Sequence, residues 1–173
     1  MRSYLSLLDA CAHWRVLLVL IGLWAIVFGA ILVSLTQLAD ISGGAGILDF
    51  EIGYSHDAVH ALLSRYGETG FDLYRRIQWL DLINPALYTS ILVIITRMVW
   101  PGRGPGWAFL LPLLGGIGDY AENATLALIV AQWPTPSENL IAVSSALSLA
   151  KNAGLAVALL PLLIAVVLRI KRR

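Results

Sequence analysis

Hydrophobic positions fall in four long runs along this chain, and the polar positions that interrupt them are few enough to name. Residues 16–38 hold 23 consecutive positions without a charge, and about 20 apolar residues is what a helix needs to cross a bilayer core. The run exceeds the roughly 7–15 apolar residues of a cleaved signal peptide, so it reads as a membrane anchor. Residues 77–99, 107–131 and 140–168 form three further predicted spans. Between the second and third, Pro101, Gly102, Arg103, Gly104, Pro105 and Gly106 force a tight return.

Residues 39–76 are the only long polar segment, and they open on Ser42, Gly43, Gly44, Ala45 and Gly46, a flexible run by composition. Ser55 then stands where it caps a helix whose apolar positions Val59, Leu62, Leu63 and Tyr66 recur at i, i+3, i+4 and i+7, with Gly67 as its stop. Thr69 followed by Asp72 predicts the start of a second helix running into the next span. Residues 1–15, with Leu5, Leu8 and Cys11 among Arg2, Asp9 and Arg15, suit a short interfacial helix. The pattern as a whole predicts an all-α fold. It is a single-domain integral membrane four-helix bundle, residues 1–173, with a short amphipathic helical lid in the 39–76 loop.

Composition agrees: 58% of residues are hydrophobic and 13% charged, against about 25% charged in soluble domains. The basic residues near the span ends set an orientation. Arg2, Arg15, Arg97, Arg103, Arg169, Lys171, Arg172 and Arg173 fall on one side, and only Arg65, Arg75 and Arg76 on the other. Both termini are therefore predicted to be cytoplasmic and the 39–76 loop extracytoplasmic. The single Cys11 excludes an internal disulfide or a paired-thiol motif. No basic footprint for nucleic acid and no cofactor-binding loop is legible. His56 and His60 are spaced i, i+4 and could hold zinc with Asp57 or Asp49, but two histidines on an exposed helix without a clear third ligand are usually solvated, and no metal site is expected.

Candidate chemistry lies inside the spans. Asp81, Asn84 and Tyr88 share one face of span two, Asp119, Glu122 and Asn123 one face of span three, and Ser144, Ser148 and Lys151 one face of span four, with Ser145 and Asn152 beside it. Span one offers only Ser34, Thr36 and Gln37 near its outer end and reads as a wall. A central charge costs about 2.5–3.5 kcal/mol on insertion scales, so these groups are expected to converge, with Lys151 pairing Asp119 or Glu122. Pro85 is expected to kink span two and free the carbonyl of Asp81. Gly115, Gly116 and Gly118, together with the stripe Ala146, Ala150, Gly154 and Ala158, allow close helix contacts. The Gly-Gly-x-Gly at 115–118 lacks the Asn and Asp pattern of lipoprotein signal peptidases, and no family's residues carry over.

These positions predict a buried charged chamber for a small amphipathic ligand such as a lipid or isoprenoid, bordered by the bilayer. Asp119, Glu122 and Lys151 are its acid–base candidates. Asp81, Asn84, Tyr88, Asn123, Ser144, Ser148 and Asn152 are its ligand-binding candidates. Two alternatives use the same residues: a proton- or cation-coupled transporter acting as a homodimer, and a non-catalytic subunit or assembly factor of a membrane complex.

Overall fold

The computed structural model describes residues 8–100 and 104–171. Among them the regular elements are helical. In chain order they are α1 (Trp14–Ser42), α2 (His56–Leu63), α3 (Gly67–Asp81), α4 (Asn84–Val99), α5 (Trp107–Ala131), α6 (Glu138–Ala158) and α7 (Leu160–Ile170). A 3-10 turn at Leu48–Phe50 lies between α1 and α2, and residues 8–11 make a helical turn before α1. The expectations placed on Arg2, Leu5, Pro101, Gly102, Arg103, Arg172 and Arg173 lie outside the described residues.

Three helical stretches are long and apolar enough to cross a membrane: Trp14–Ser42, Gly67–Val99 and Glu138–Ile170. Their lengths and compositions suggest a membrane protein. Helix α5 has 25 residues but is not among them, because Asp119, Glu122 and Asn123 stand in its middle. Exposure is inverted relative to a water-soluble domain: Ile26 is 72% and Ile117 62% exposed, whereas Glu122 is 0% exposed. Apolar side chains outside and charge inside is the distribution that lipid imposes.

The sequence places several boundaries differently from the structure. Helix α1 outruns the predicted 16–38 and ends at Gly43, whose left-handed φ of 65° turns the chain so that the next N–H, of Gly44, reaches the Ala39 carbonyl at 2.7 Å. Span two breaks rather than kinks: α3 stops at Asp81 and α4 restarts at Asn84, with Pro85 in its first turn. A proline there has no N–H to waste, which makes it a good starter and a poor continuer. The Tyr120 hydroxyl donates to the Leu82 carbonyl inside the break at 2.8 Å. Pro161 divides span four between α6 and α7 in the same way. Helix α3 begins at Gly67, two residues before the Thr69 start, and no side chain caps it.

The glycine run after α1 is a fixed turn. Ser42 Oγ donates to the Leu38 carbonyl at 2.5 Å and accepts from Ala45 N at 3.2 Å, while Arg65 donates to the carbonyls of Ser42 and Gly43. The Tyr66 hydroxyl donates to the Gly46 carbonyl at 2.7 Å. Ser55 Oγ caps α2 as its position predicts, accepting from Ala58 N, and Val59 and Leu63 are wholly buried.

Helix α5 is central, packed along α6 and against α4, while α1 lies across α3 and α4. Close approach comes from glycine. A side-chain carbon on Gly116 would meet Thr89 Oγ1 at 2.5 Å, and Gly115 faces Gly154 and Ala158. Ala146 and Ala150 are exposed, so only the lower half of the small-residue stripe makes this contact. Three apolar clusters form among the described residues, one large and two small. The large one joins Leu38, Leu48, Leu63, Tyr74, Ile77, Leu126 and Ile129 at the loop end. A smaller one joins Leu8, Val93 and Phe109 at the other end. On α5 the polar triplet lies between Phe109 and Leu126, so the candidate site is a polar layer held between two dry ones.

At the end away from the loop, Arg97 pairs with Asp9 at 2.5 Å and Arg169 donates to the Met98 carbonyl at 3.0 Å. Residues 8–11 and the C-termini of α4 and α7 therefore share one end of the molecule.

Candidate functional site

Lys151 brings the polar layer to a focus. Its ammonium reaches from α6 to α5, where it forms an ion pair with Glu122 and stands 3.9 Å from Asp119 Oδ1. All three side chains are buried. Glu122 and Asp119 face the same helix because they are three residues apart on α5. Glu122 Oε1 has no hydrogen-bond partner among the described residues. Asp119 is held from its other side by the Tyr88 hydroxyl of α4, which donates to Oδ2 at 2.7 Å.

A third carboxylate, Asp81, is clamped by amides. Asn84 Nδ2 donates to its Oδ1 at 2.9 Å and Asn123 Nδ2 to its Oδ2 at 2.7 Å. The indole of Trp24 donates to Asn84 Oδ1 at 3.0 Å. Helix α1, read from sequence as a wall, therefore contributes a polar group through a residue counted as apolar. The helix break at Asn84 lets Asp81, at the end of α3, turn toward α5.

The polar face of α6 meets the chain's own loop. Ser148 Oγ donates to the Glu51 carbonyl at 2.7 Å, and Lys151 Nζ donates to the Asp49 carbonyl at 3.2 Å. Ser145 Oγ accepts from Tyr54 N at 2.9 Å. Ser144 Oγ lies 2.6 Å from the Tyr54 hydroxyl and 2.8 Å from Thr125 Oγ1. Asn152 stays with its own helix, donating to the Ser148 carbonyl. Sequence thus brings together Asp81, Asn84, Tyr88, Asp119, Glu122, Asn123 and Lys151 at the layer, while Ser144 and Ser148 dock the loop.

Asp49, Tyr54, Tyr74, Trp24 and Thr125 are the layer's unforeseen members. Asp49 accepts from the buried Tyr74 hydroxyl at 2.9 Å. Burial pushes its carboxyl up to about 7, and neighbouring Asp81 adds to the shift, while the Tyr74 bond and Lys151 oppose it. Burial likewise pushes the Tyr54 phenol up to about 12, so that hydroxyl stays protonated. The available signal for Asp49 is its place beside Ile47 and Leu48, an apolar pair that turns this loop segment inward. His56 and His60 stack on each other at 4.4 Å, and His60 packs on Trp133 at 5.0 Å. Among the described residues no group of three His, Cys, Asp or Glu side chains is placed to hold a metal ion.

The chain matches no family model, no curated protein and no solved structure.

Proposed function

We propose that this protein is a membrane-embedded site for a small amphipathic ligand, lipid- or isoprenoid-like, with acid–base capacity in its buried layer. In this reading α1, α3 with α4, α5, and α6 with α7 cross the bilayer as four spans. Both termini are cytoplasmic, and α2 is part of an outward-facing lid. Asp119 and Glu122 carry the exchangeable protons, and Lys151 holds their charge. Asp81, Asn84, Tyr88 and Asn123 line the ligand's polar side.

One observation carries the proposal: a single buried lysine faces Glu122 and Asp119, while Asp81 and Asp49 adjoin the same layer. Intramembrane ionisable groups are costly and mark function by default. A layer serving only helix register would be expected to balance its charges. This one carries more acids than bases.

The test is extraction of the purified protein with organic solvent, followed by mass analysis of what is released. The wild type is expected to yield a defined amphiphile at near-stoichiometric amount, and the Asp119→Asn, Glu122→Gln double variant to yield none. Equal yields from folded samples of both would overturn the assignment.

A further inference from the structure

The donors of the buried layer are already occupied, and the occupant is a segment of the chain itself. Residues 49–54 lie along α6 and present backbone groups to it. The Asp49 carbonyl accepts from Lys151 Nζ, the Glu51 carbonyl accepts from Ser148 Oγ, and Tyr54 N donates to Ser145 Oγ. These contacts bridge 91 to 102 positions of sequence. Ser148 and Lys151, which supply two of them, are buried.

The segment is held at both ends, by Tyr74 on Asp49 and by Ser144 and Ser145 on Tyr54, and is exposed in the middle. Ile47 and Leu48 are anchored in the large apolar core. Beyond them Phe50 is 63% and Ile52 68% exposed, two apolar side chains displayed outward from a polar loop. On the face away from α6, a cavity of about 400 Å³ separates the segment from α2, lined by Leu48, Tyr54, Ala58, Leu62 and Arg65 among others. The segment therefore adjoins open space on its α2 side, and moving into that space would give up the Tyr74–Asp49 and Tyr54–Ser144 hydrogen bonds. Its departure would uncover Ser148 and the ammonium of Lys151, beside Glu122 Oε1, which has no hydrogen-bond partner among the described residues.

We infer that residues 49–54 are a displaceable strap. The ligand that displaces it presents acceptor oxygens, of a phosphate or an ester, to Lys151 and Ser148 in place of the Asp49 and Glu51 carbonyls. This rests on the ligand-site reading above and narrows its chemistry. Two carbonyl oxygens, one held by an ammonium and one by a hydroxyl, are stand-ins for the oxygens such a head group carries. A purely cationic head group would compete with Lys151 for the acids and leave the strap's two carbonyl contacts in place. Phe50 and Ile52 supply the apolar surface along which an acyl-bearing ligand would approach.

Hydrogen exchange of the 48–55 backbone in full-length protein, held in dodecyl maltoside micelles, tests this without any substitution. The probes are dioleoyl phosphatidic acid, inorganic phosphate and oleylamine, with phosphatidic acid binding followed separately by native mass spectrometry. Phosphatidic acid is expected to speed exchange of the strap severalfold and to leave α6 unchanged. Acceleration by inorganic phosphate as well would support the same chemistry and assign it to a free anion rather than a lipid. Acceleration by oleylamine alone would overturn the ligand class. Bound phosphatidic acid with unchanged strap exchange would overturn the strap alone, whereas no binding and no exchange response would overturn both the strap and this ligand for the site.

Discussion

Lys151 meets Glu122 where neither side chain has meaningful contact with solvent, and Asp119 stands at 3.9 Å on the other side of the same ammonium. Removing one member of such a pair strands the other. Lys151→Met is expected to destabilise the protein by about 3–5 kcal/mol, because a buried carboxylate loses its counter-charge. Adding Glu122→Gln to that variant is expected to recover a large part of the loss. Denaturant unfolding in detergent across the double-mutant cycle measures the coupling, and strictly additive effects would contradict the pair.

Asp81 accepts two amide donors from different helices, and the two predicted outcomes follow from what each substitution strands. Asp81→Leu leaves Asn84 Nδ2 and Asn123 Nδ2 without an acceptor, at about 1–3 kcal/mol for the buried Asn123 and less for the half-buried Asn84. Asp81→Asn keeps one acceptor oxygen and is expected to cost less. Thermal unfolding of the two variants side by side gives the order, and equal losses would mean the clamp does not hold the α3–α5 contact.

Asp49 links pH to stability with a definite sign. Its carboxyl is raised to about 7 in the folded protein, so the native state keeps a proton that the unfolded chain has released above about 4. Between those values the native state binds more protons, and stability falls as pH rises, levelling off above about 7. Tyr74, Asp81 and Lys151 are the groups acting on it. Asp49→Asn is expected to raise the unfolding temperature at pH 8, change it little at pH 4, and flatten the slope between. The same pH slope in variant and wild type would place the titration elsewhere.

Gly116 allows α5 to touch α4 at Thr89, and a single methyl group tests that contact. Gly116→Ala puts a carbon 2.5 Å from Thr89 Oγ1, and overpacking of this kind costs about 1–3 kcal/mol. Thr89→Ala in the same chain is expected to relieve it. At Gly118 the nearest atom to an added carbon is the Lys151 Cα at 3.8 Å, so Gly118→Ala is expected to be tolerated. Unfolding temperatures that rank the two glycine variants the other way would contradict the packing described here.

Much of the layer was legible because lipid punishes charge: Asp81, Asp119, Glu122 and Lys151 announce themselves in apolar runs, and helical spacing turns them toward one another. The helix breaks at Asn84 and Leu159 were harder to place, since Pro85 and Pro161 look alike whether they bend a helix or start one. Trp24 was hidden by its own chemistry, an apolar ring carrying one donor. Asp49 and Tyr54 were hidden by distance, because nothing local to a glycine-rich loop says that it will lie against a helix some 90 to 100 residues further along. For the same reason the sequence does not show that residues 49–54 lie along the hydroxyl face of α6.

The most direct test of the central claim is native mass spectrometry of the Glu122→Gln, Lys151→Met double variant beside the wild type, from one membrane preparation. Replacing both charges removes the Lys151–Glu122 pair together, and Asp119, which loses the same ammonium, keeps the Tyr88 hydroxyl as its donor, so the fold is expected to survive. A folded double variant that has lost the amphiphile carried by the wild type is the predicted result, and it assigns the layer to ligand recognition. A folded double variant that retains the same bound mass as the wild type would contradict the account, leaving the charges a role in helix register only.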